Sequence, residues 1–115
     1  MLSHLPMQGE AIELAYKGAV RGRIQLSPQK MLMVDVVHPS YSVSDEEKIR
    51  TLRPLIERRE EPYILTGDFN TVHPQDAYDW NNVYEGLRKF NAQKAEEVLR
   101  NWQNPKLVPW LLEER

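Results

Sequence analysis

The stretch YILTGDFNTVHPQ, residues 63–75, is the most informative part of the sequence. Its apolar and β-branched start predicts a short buried strand. The strand breaks at Gly67, where glycine permits a close turn or an unusual backbone angle. Asp68 and Asn70 follow with a spacing of two, so in extended backbone their side chains point the same way. The stretch therefore predicts a carboxylate and an amide side by side at the carboxyl end of a strand.

A second buried strand is predicted one step earlier in the chain. Residues 31–37, MLMVDVV, form a short apolar run that is β-branched at its end. This run leads into His38 and a proline-bearing loop. Ligands of open α/β sheets bind outside the carboxyl ends of the strands. If the two strands are neighbours, we expect His38, Asp68 and Asn70 to converge on one rim.

The segment between these strands is predicted to be a helix that begins after Ser44. Glu47 stands three residues beyond Ser44, which makes a capping box, and Asp45 suits the first turn. Pro54 lies inside the helical pattern and is expected to kink the helix. The expected apolar face consists of Ile49, Leu52, Leu55 and Ile56. Strand, helix and strand in this order suit a crossover unit.

The regions on either side of this unit differ in pattern. On the N-terminal side, residues 10–16 and 19–26 predict two strands joined by a tight turn at Lys17 and Gly18. On the C-terminal side, residues 77–115 are predicted to be mostly helical, because their apolar residues recur at helical spacing. The whole pattern indicates an α/β fold with a helical C-terminal region.

Composition limits the classes of function. The chain has 115 residues, which fits one domain or part of one, and its net charge of −2 does not indicate nucleic acid as a bulk partner. It has no cysteine, which excludes disulfides, thiolate catalysis and cysteine-bound metals. Its apolar runs are too short to cross a bilayer and its start lacks the features of a signal peptide. We therefore expect a soluble, cytoplasmic protein without a membrane span.

The stretch YILTGDFN closely resembles the GDFN motif of the endonuclease/exonuclease/phosphatase superfamily. This is the deoxyribonuclease-like fold of abasic-site endonucleases, sphingomyelinases and inositol-polyphosphate phosphatases. MLMVDVVHPS, followed by a helix that carries Arg50, resembles the strand that precedes this motif in the family. MLSHLPM near the start is similar to the family's SR-x-P stretch. The order of elements agrees from about residue 2 to residue 72.

The resemblance implies a fold, a reaction and a set of site residues. The fold would be an incomplete four-layer α/β sandwich, with residues 1–76 as its central part and residues 77–115 as a helical extension or insertion. The reaction would be hydrolysis of phosphoester bonds with Mg²⁺ or Mn²⁺. Asp68 would orient or activate the attacking water and is the position for the cation, Asn70 would bind the scissile phosphate, and His38 would contact a phosphate oxygen. The implied substrate is a nucleic acid, a phospholipid or a phosphorylated small molecule.

Two parts of the family pattern have no counterpart in this sequence. They are the glutamate that is the principal metal ligand and the aspartate–histidine pair of the last strands. We therefore expect a family domain that is truncated at both ends and turns over little or no substrate by itself. One alternative is a non-catalytic remnant or split-domain fragment that acts through protein interactions, with a complementing fragment or with itself. Another is a small nucleic-acid-binding module built on the helix that carries Arg50 and Arg53.

Several of these residues also have ordinary structural interpretations. Asp68 and Asn70 are of the residue types that favour turns, since their side chains bond to nearby backbone. His73 is interpreted as a loop histidine rather than a metal ligand. Three tryptophans are interpreted as helix-packing residues rather than a platform for stacking bases: Trp80, Trp102 and Trp110.

Overall fold

The computed structural model describes residues 5–14 and 17–113 of the chain. Within them the elements follow in the order β1 (Met7–Ile12), β2 (Ala19–Ser27), β3 (Lys30–Val37), α1 (Asp45–Glu57), β4 (Tyr63–Gly67), α2 (Trp80–Phe90), α3 (Ala95–Trp102) and α4 (Leu107–Glu113). The α/β fold class predicted from the sequence is thereby confirmed. None of the described helices combines the length and the apolar character needed to cross a membrane.

The chain divides into two compact units. The first consists of Met1–Pro39 and Thr51–Phe69, and the second of Ser40–Arg50 and Asn70–Arg115. Helix α1 therefore contributes its start to the second unit and its end to the first. The division between residues 1–76 and residues 77–115 that the resemblance implies stays a prediction.

A four-stranded mixed sheet in the order β1-β2-β3-β4 forms the body of the first unit. The first three strands are antiparallel to their neighbours, whereas β3 and β4 run parallel, as a crossover unit requires. The predicted strands at residues 19–26, 31–37 and 63–67 are confirmed. The first strand is displaced from its predicted place at residues 10–16, because pairing with the long β2 recruits the polar Met7–Ile12 segment. Tyr16 lies outside the described residues.

The end of α1 packs against one face of this sheet. Leu52, Leu55 and Ile56 of α1 are buried together with Met33 and Val37 of β3. The predicted apolar face of the helix is thus confirmed at these positions, and α1 continues through Pro54 to Glu57.

The prediction that residues 63–67 form a fully buried strand is wrong. Ile64 is 48 % exposed, and its neighbours on the same sheet face, Val36 and Val20, are 37 % and 44 % exposed. This face is opposite to the one that α1 covers, and β4 forms an edge of the sheet. An apolar run predicts a strand, but it does not show whether both faces of that strand are covered.

A buried ion pair joins the sheet to the end of α1. Arg21 donates from Nε and Nη2 to the two carboxylate oxygens of Asp35, at 2.8 and 2.7 Å. The same guanidinium donates to the carbonyl oxygens of Leu55 and Arg58, near the C-terminus of the helix, at 2.8 and 3.4 Å. Tyr63 donates its hydroxyl to Asp35 at 2.6 Å. The hydrogen bonds to Asp35 hold the pKa of Arg21 above its ordinary value, so the helix end faces a permanent positive charge.

Tyr63 is expected to make stability fall at alkaline pH. Burial, and then the hydrogen bond to Asp35, raise the pKa of its hydroxyl far above the usual range. Above about pH 10 an unfolded tyrosine loses its proton while the folded Tyr63 keeps it, so the unfolded state binds fewer protons and is favoured. We expect the free energy of unfolding, measured with urea, to fall as the pH is raised from about 8 to about 11. Tyr63→Phe should reduce this fall, and an equal fall in both proteins would contradict the assignment.

The second unit is built from helices and from the start of α1. The predicted cap is confirmed, because Ser44 Oγ accepts a hydrogen bond from the backbone N–H of Glu47 at 3.2 Å. Ala95 and Val98 of α3 and Leu107 of α4 are buried. Helix α2 has no fully buried residue: Val83 and Leu87 are half-buried, and Phe90 at its C-terminal end is 76 % exposed.

Candidate functional site

Strands β3 and β4 end side by side, and Gly67 makes this close approach feasible. Val37 is paired with Gly67 in the parallel register. Gly67 has φ +139°, and a Cβ atom added there would lie 1.9 Å from the carbonyl oxygen of Val37. Only glycine tolerates this angle and this separation. The glycine of the GDFN stretch therefore lets the two strand ends meet, as its position in the sequence predicted.

His38 and Asp68 follow these two strand ends and are neighbours. His38 Nε2 lies 4.0 Å from Asp68 Oδ2, and the two side chains are 59 % and 71 % exposed. The pair attracts when the imidazole is protonated, although water weakens such a contact at this exposure. The structure thus brings together two of the three predicted site residues, at a place that solvent and solutes can reach.

Asn70 belongs to the second unit, where it begins the segment Asn70–Arg115. Its φ of +50° lies in the left-handed region, which asparagine tolerates better than most residues. Its carbonyl oxygen accepts hydrogen bonds from Lys48 Nζ and, at 3.1 Å, from Trp102 Nε1. That its side-chain amide joins His38 and Asp68 stays a prediction.

A buried polar cluster lies around Asp45 and Lys48, which are 2 % and 1 % exposed, and was not predicted from the sequence. Asp45 Oδ1 lies 3.5 Å from Lys48 Nζ. Asp45 Oδ2 accepts from the Thr71 hydroxyl at 2.7 Å and from the backbone N–H groups of Lys106 and Leu107 at 2.7 and 2.9 Å. A sequence signal existed, because Asp45 and Lys48 lie on the same helix face as Leu52 and Leu55 by spacing.

The remaining candidate residues have structural partners. His73 Nδ1 accepts from the backbone N–H of Gln75 at 3.1 Å, which suits a loop histidine. Tyr41, a further aromatic residue of the helical unit, contacts the ring of Phe90 edge-on with centroids 6.0 Å apart. Its hydroxyl accepts from Asn91 Nδ2 at 3.4 Å.

Arg50 of α1 and Arg59 of the loop after it form local ion pairs. Arg50 pairs with Glu47, and Arg59 Nε lies 2.9 Å from Glu61. Paired charges of this kind belong to a solvated protein surface rather than to a groove for phosphates. They therefore give no support to the nucleic-acid-binding alternative.

The strand ends carry one carboxylate and one imidazole that are candidate metal ligands, those of Asp68 and His38. Across residues 5–14 and 17–113, no group of three or more histidine, aspartate and glutamate side chains is placed to hold a metal ion. Mg²⁺ and Mn²⁺ prefer oxygen ligands, of which Asp68 supplies one carboxylate, and imidazole suits other metals better. The requirement for either ion stays a prediction of the resemblance.

No protein-family model, curated protein or solved structure matches this chain. Membership of the endonuclease/exonuclease/phosphatase superfamily therefore stays a prediction. It rests on the GDFN stretch and on the strand that delivers His38. The four-layer sandwich and the cytoplasmic location also stay predictions.

Proposed function

We propose that this chain carries the phosphate-handling rim of a phosphoester hydrolase of the endonuclease/exonuclease/phosphatase type. The observation that supports the proposal most directly is the His38–Asp68 pair, with side-chain atoms 4.0 Å apart at the ends of two parallel strands. An exposed imidazole beside an exposed carboxylate offers a proton donor and a proton acceptor at one place. Asn70 adds an amide two residues beyond Asp68.

The three side chains have distinct roles in the proposed reaction. The protonated imidazole of His38 donates to a phosphoryl oxygen, and so stabilises the charge that develops there. Asp68 accepts the proton of a water molecule whose oxygen attacks phosphorus while the bond to the leaving oxygen breaks. The amide of Asn70 donates to another phosphoryl oxygen without adding a negative charge that would repel the phosphate.

Little or no hydrolysis of an aryl phosphodiester is expected from this chain, with or without Mg²⁺. The sequence has no counterpart of the family's principal metal-binding glutamate or of its aspartate–histidine pair, so most of the charge on the transition state would be left without compensation. Release of nitrophenol from bis(4-nitrophenyl) phosphate would measure this. Robust turnover that depends on Mg²⁺ and disappears in Asp68→Ala would show that the count of ligands is wrong.

Binding of phenyl phosphate in metal-free buffer gives a sharper test, because two substitutions should change the affinity in opposite directions. His38→Gln removes a charged hydrogen-bond donor and should weaken binding by about 10- to 100-fold in a mildly acidic buffer. Asp68→Asn removes a carboxylate that repels the phosphate and should tighten binding by about 2- to 5-fold. The dissociation constants can be measured by NMR titration of the labelled protein.

His73→Gln is the matched control, since His73 is bonded to its own loop. Its affinity for phenyl phosphate should equal that of the unaltered chain. The proposal fails if the chain does not bind phenyl phosphate, or if His38→Gln and His73→Gln behave alike.

A second candidate function, interaction with another protein, is favoured by one observation. The sheet face that carries Val20, Val36 and Ile64 is apolar and exposed. Exposed apolar surface of this kind commonly marks a protein interface. This candidate requires no phosphate binding, so the titration separates it from the first.

A further inference from the structure

We propose that Lys48 and Trp102 are positioning residues that fix the direction of the Asn70 side chain. The inference rests on the proposed function, in which the Asn70 amide binds a phosphoryl oxygen. It also assigns a task to the helical region of the chain, whose purpose the sequence did not reveal.

Asn70 has an unusual backbone that two side chains hold in place. Its left-handed φ of +50° is less favourable than helical or extended backbone, even for asparagine. Its carbonyl oxygen accepts from Lys48 Nζ of α1 and from Trp102 Nε1 of α3. Because the Cα–Cβ bond has a set geometry relative to the backbone, a clamp on the carbonyl restrains the direction of that bond and so the region that the amide can reach.

Lys48 buries a charged side chain at a position of α1 where helix packing alone would favour an apolar one. An apolar side chain would fill the same space without the desolvation of an ammonium group. Instead, Lys48 is 1 % exposed, and its charge is balanced by Asp45 with Nζ 3.5 Å from Oδ1. The ionic arrangement therefore gives a directed bond to Asn70, which an apolar residue cannot supply.

Asp45 extends the clamp to the next residue and to α4. Its Oδ2 accepts the Thr71 hydroxyl and the N–H groups of Lys106 and Leu107, all within 2.9 Å. Thr71 and the start of α4 are thus held by the same carboxylate. The Asn70 carbonyl is thus bonded to side chains of α1 and α3, and the Thr71 hydroxyl shares its acceptor with the start of α4.

The decisive variant is Trp102→Phe, which keeps an aromatic ring but removes the N–H that bonds to Asn70. We expect the affinity for phenyl phosphate to fall about 3- to 10-fold, which corresponds to one lost hydrogen bond. The Cα and Cβ chemical shifts of Asn70 should also move away from left-handed values. Trp80→Phe is the matched control, because Trp80 begins α2 and its ring lies against that of Tyr78, and it should leave both readouts unchanged.

Lys48 is tested by a second set of variants. Lys48→Met should reduce the affinity more than Trp102→Phe, Lys48→Arg should restore part of it, and the exposed Lys89→Met should have no effect. If Lys48→Met does not fold, Trp102→Phe decides. The inference would be overturned if Trp102→Phe left both the Cα and Cβ shifts of Asn70 and the affinity for phenyl phosphate unchanged. If the unaltered chain binds no phosphate, the proposed function fails, and the Asn70 shifts alone then decide whether the clamp exists.

Discussion

Replacement of Gly67 by alanine is expected to lower the free energy of unfolding by about 3 to 5 kcal/mol. Two effects add at this position. The φ of +139° is one that residues with a Cβ rarely adopt, and the new Cβ would lie 1.9 Å from the carbonyl oxygen of Val37. Neither atom can move without breaking the parallel pairing between β3 and β4, because the contact involves backbone on both sides. Urea unfolding followed by circular dichroism would measure the loss.

Gly86→Ala provides a control that should have the opposite sign. Gly86 lies within α2, and a Cβ added there meets no heavy atom within 4 Å. Alanine in a helix is favoured over glycine, so this variant should be more stable by about 0.5 to 1 kcal/mol. Similar changes in the two variants would show that the strand ends do not approach each other as described.

Replacement of Arg21 by methionine is the other change with a large expected effect, a loss of about 3 to 5 kcal/mol. It leaves the carboxylate of Asp35, which is 0 % exposed, without its bidentate partner. The carbonyl oxygens of Leu55 and Arg58 lose a donor at the same time. The larger part of the loss is the desolvation of the charge that remains, rather than the strength of the ion pair itself.

Arg23→Met is the matched control for this variant. Arg23 lies two residues further along β2, but its partners Glu10 and Glu60 have side chains that are 54 % and 68 % exposed. Exposed pairs of this kind contribute little to stability, so this loss should be far smaller. Arg21→Met combined with Asp35→Leu should recover part of the stability, since no buried charge then lacks a partner. Equal losses for Arg21→Met and Arg23→Met would contradict the account of the buried pair.

Local patterns in the sequence were sufficient to predict the start of α1 and most strands of the sheet. The helix cap at Ser44 depends on residues three apart, and the strands around α1 follow from short apolar runs that end at glycine or proline. The need for glycine at residue 67 was also visible, because a turn of this kind has few other solutions. Each of these features is decided within a few residues of chain.

The parts that could not be predicted depend on distant partners. Arg21 and Asp35 each look like an isolated charge in a strand, and only the register of β2 against β3 places them opposite each other. The Asp45–Lys48 cluster is similar, because its partners at residues 70 and 71 and at 102 to 107 are separated from it by long stretches of chain. Burial of a charge is favourable only when its partner is present, so composition alone argues against it.

The exposure of β4 illustrates a different limit. Ile64 alternates along β4 with residues that face α1. The same sequence of apolar residues would occur whether the sheet face opposite to α1 is covered or exposed. Only the arrangement of other elements decides that question. The sequence thus predicted the strand correctly and its surroundings incorrectly.

A crystal structure of the chain grown with phenyl phosphate tests the central claim most directly. We expect a phosphate oxygen within about 3 Å of His38 Nε2, with the Asp68 carboxylate beside it on the side from which water approaches. We also expect the Asn70 amide to donate to a second phosphate oxygen. A phosphate bound elsewhere, or an imidazole of His38 turned away from Asp68 when phosphate is present, would contradict the account.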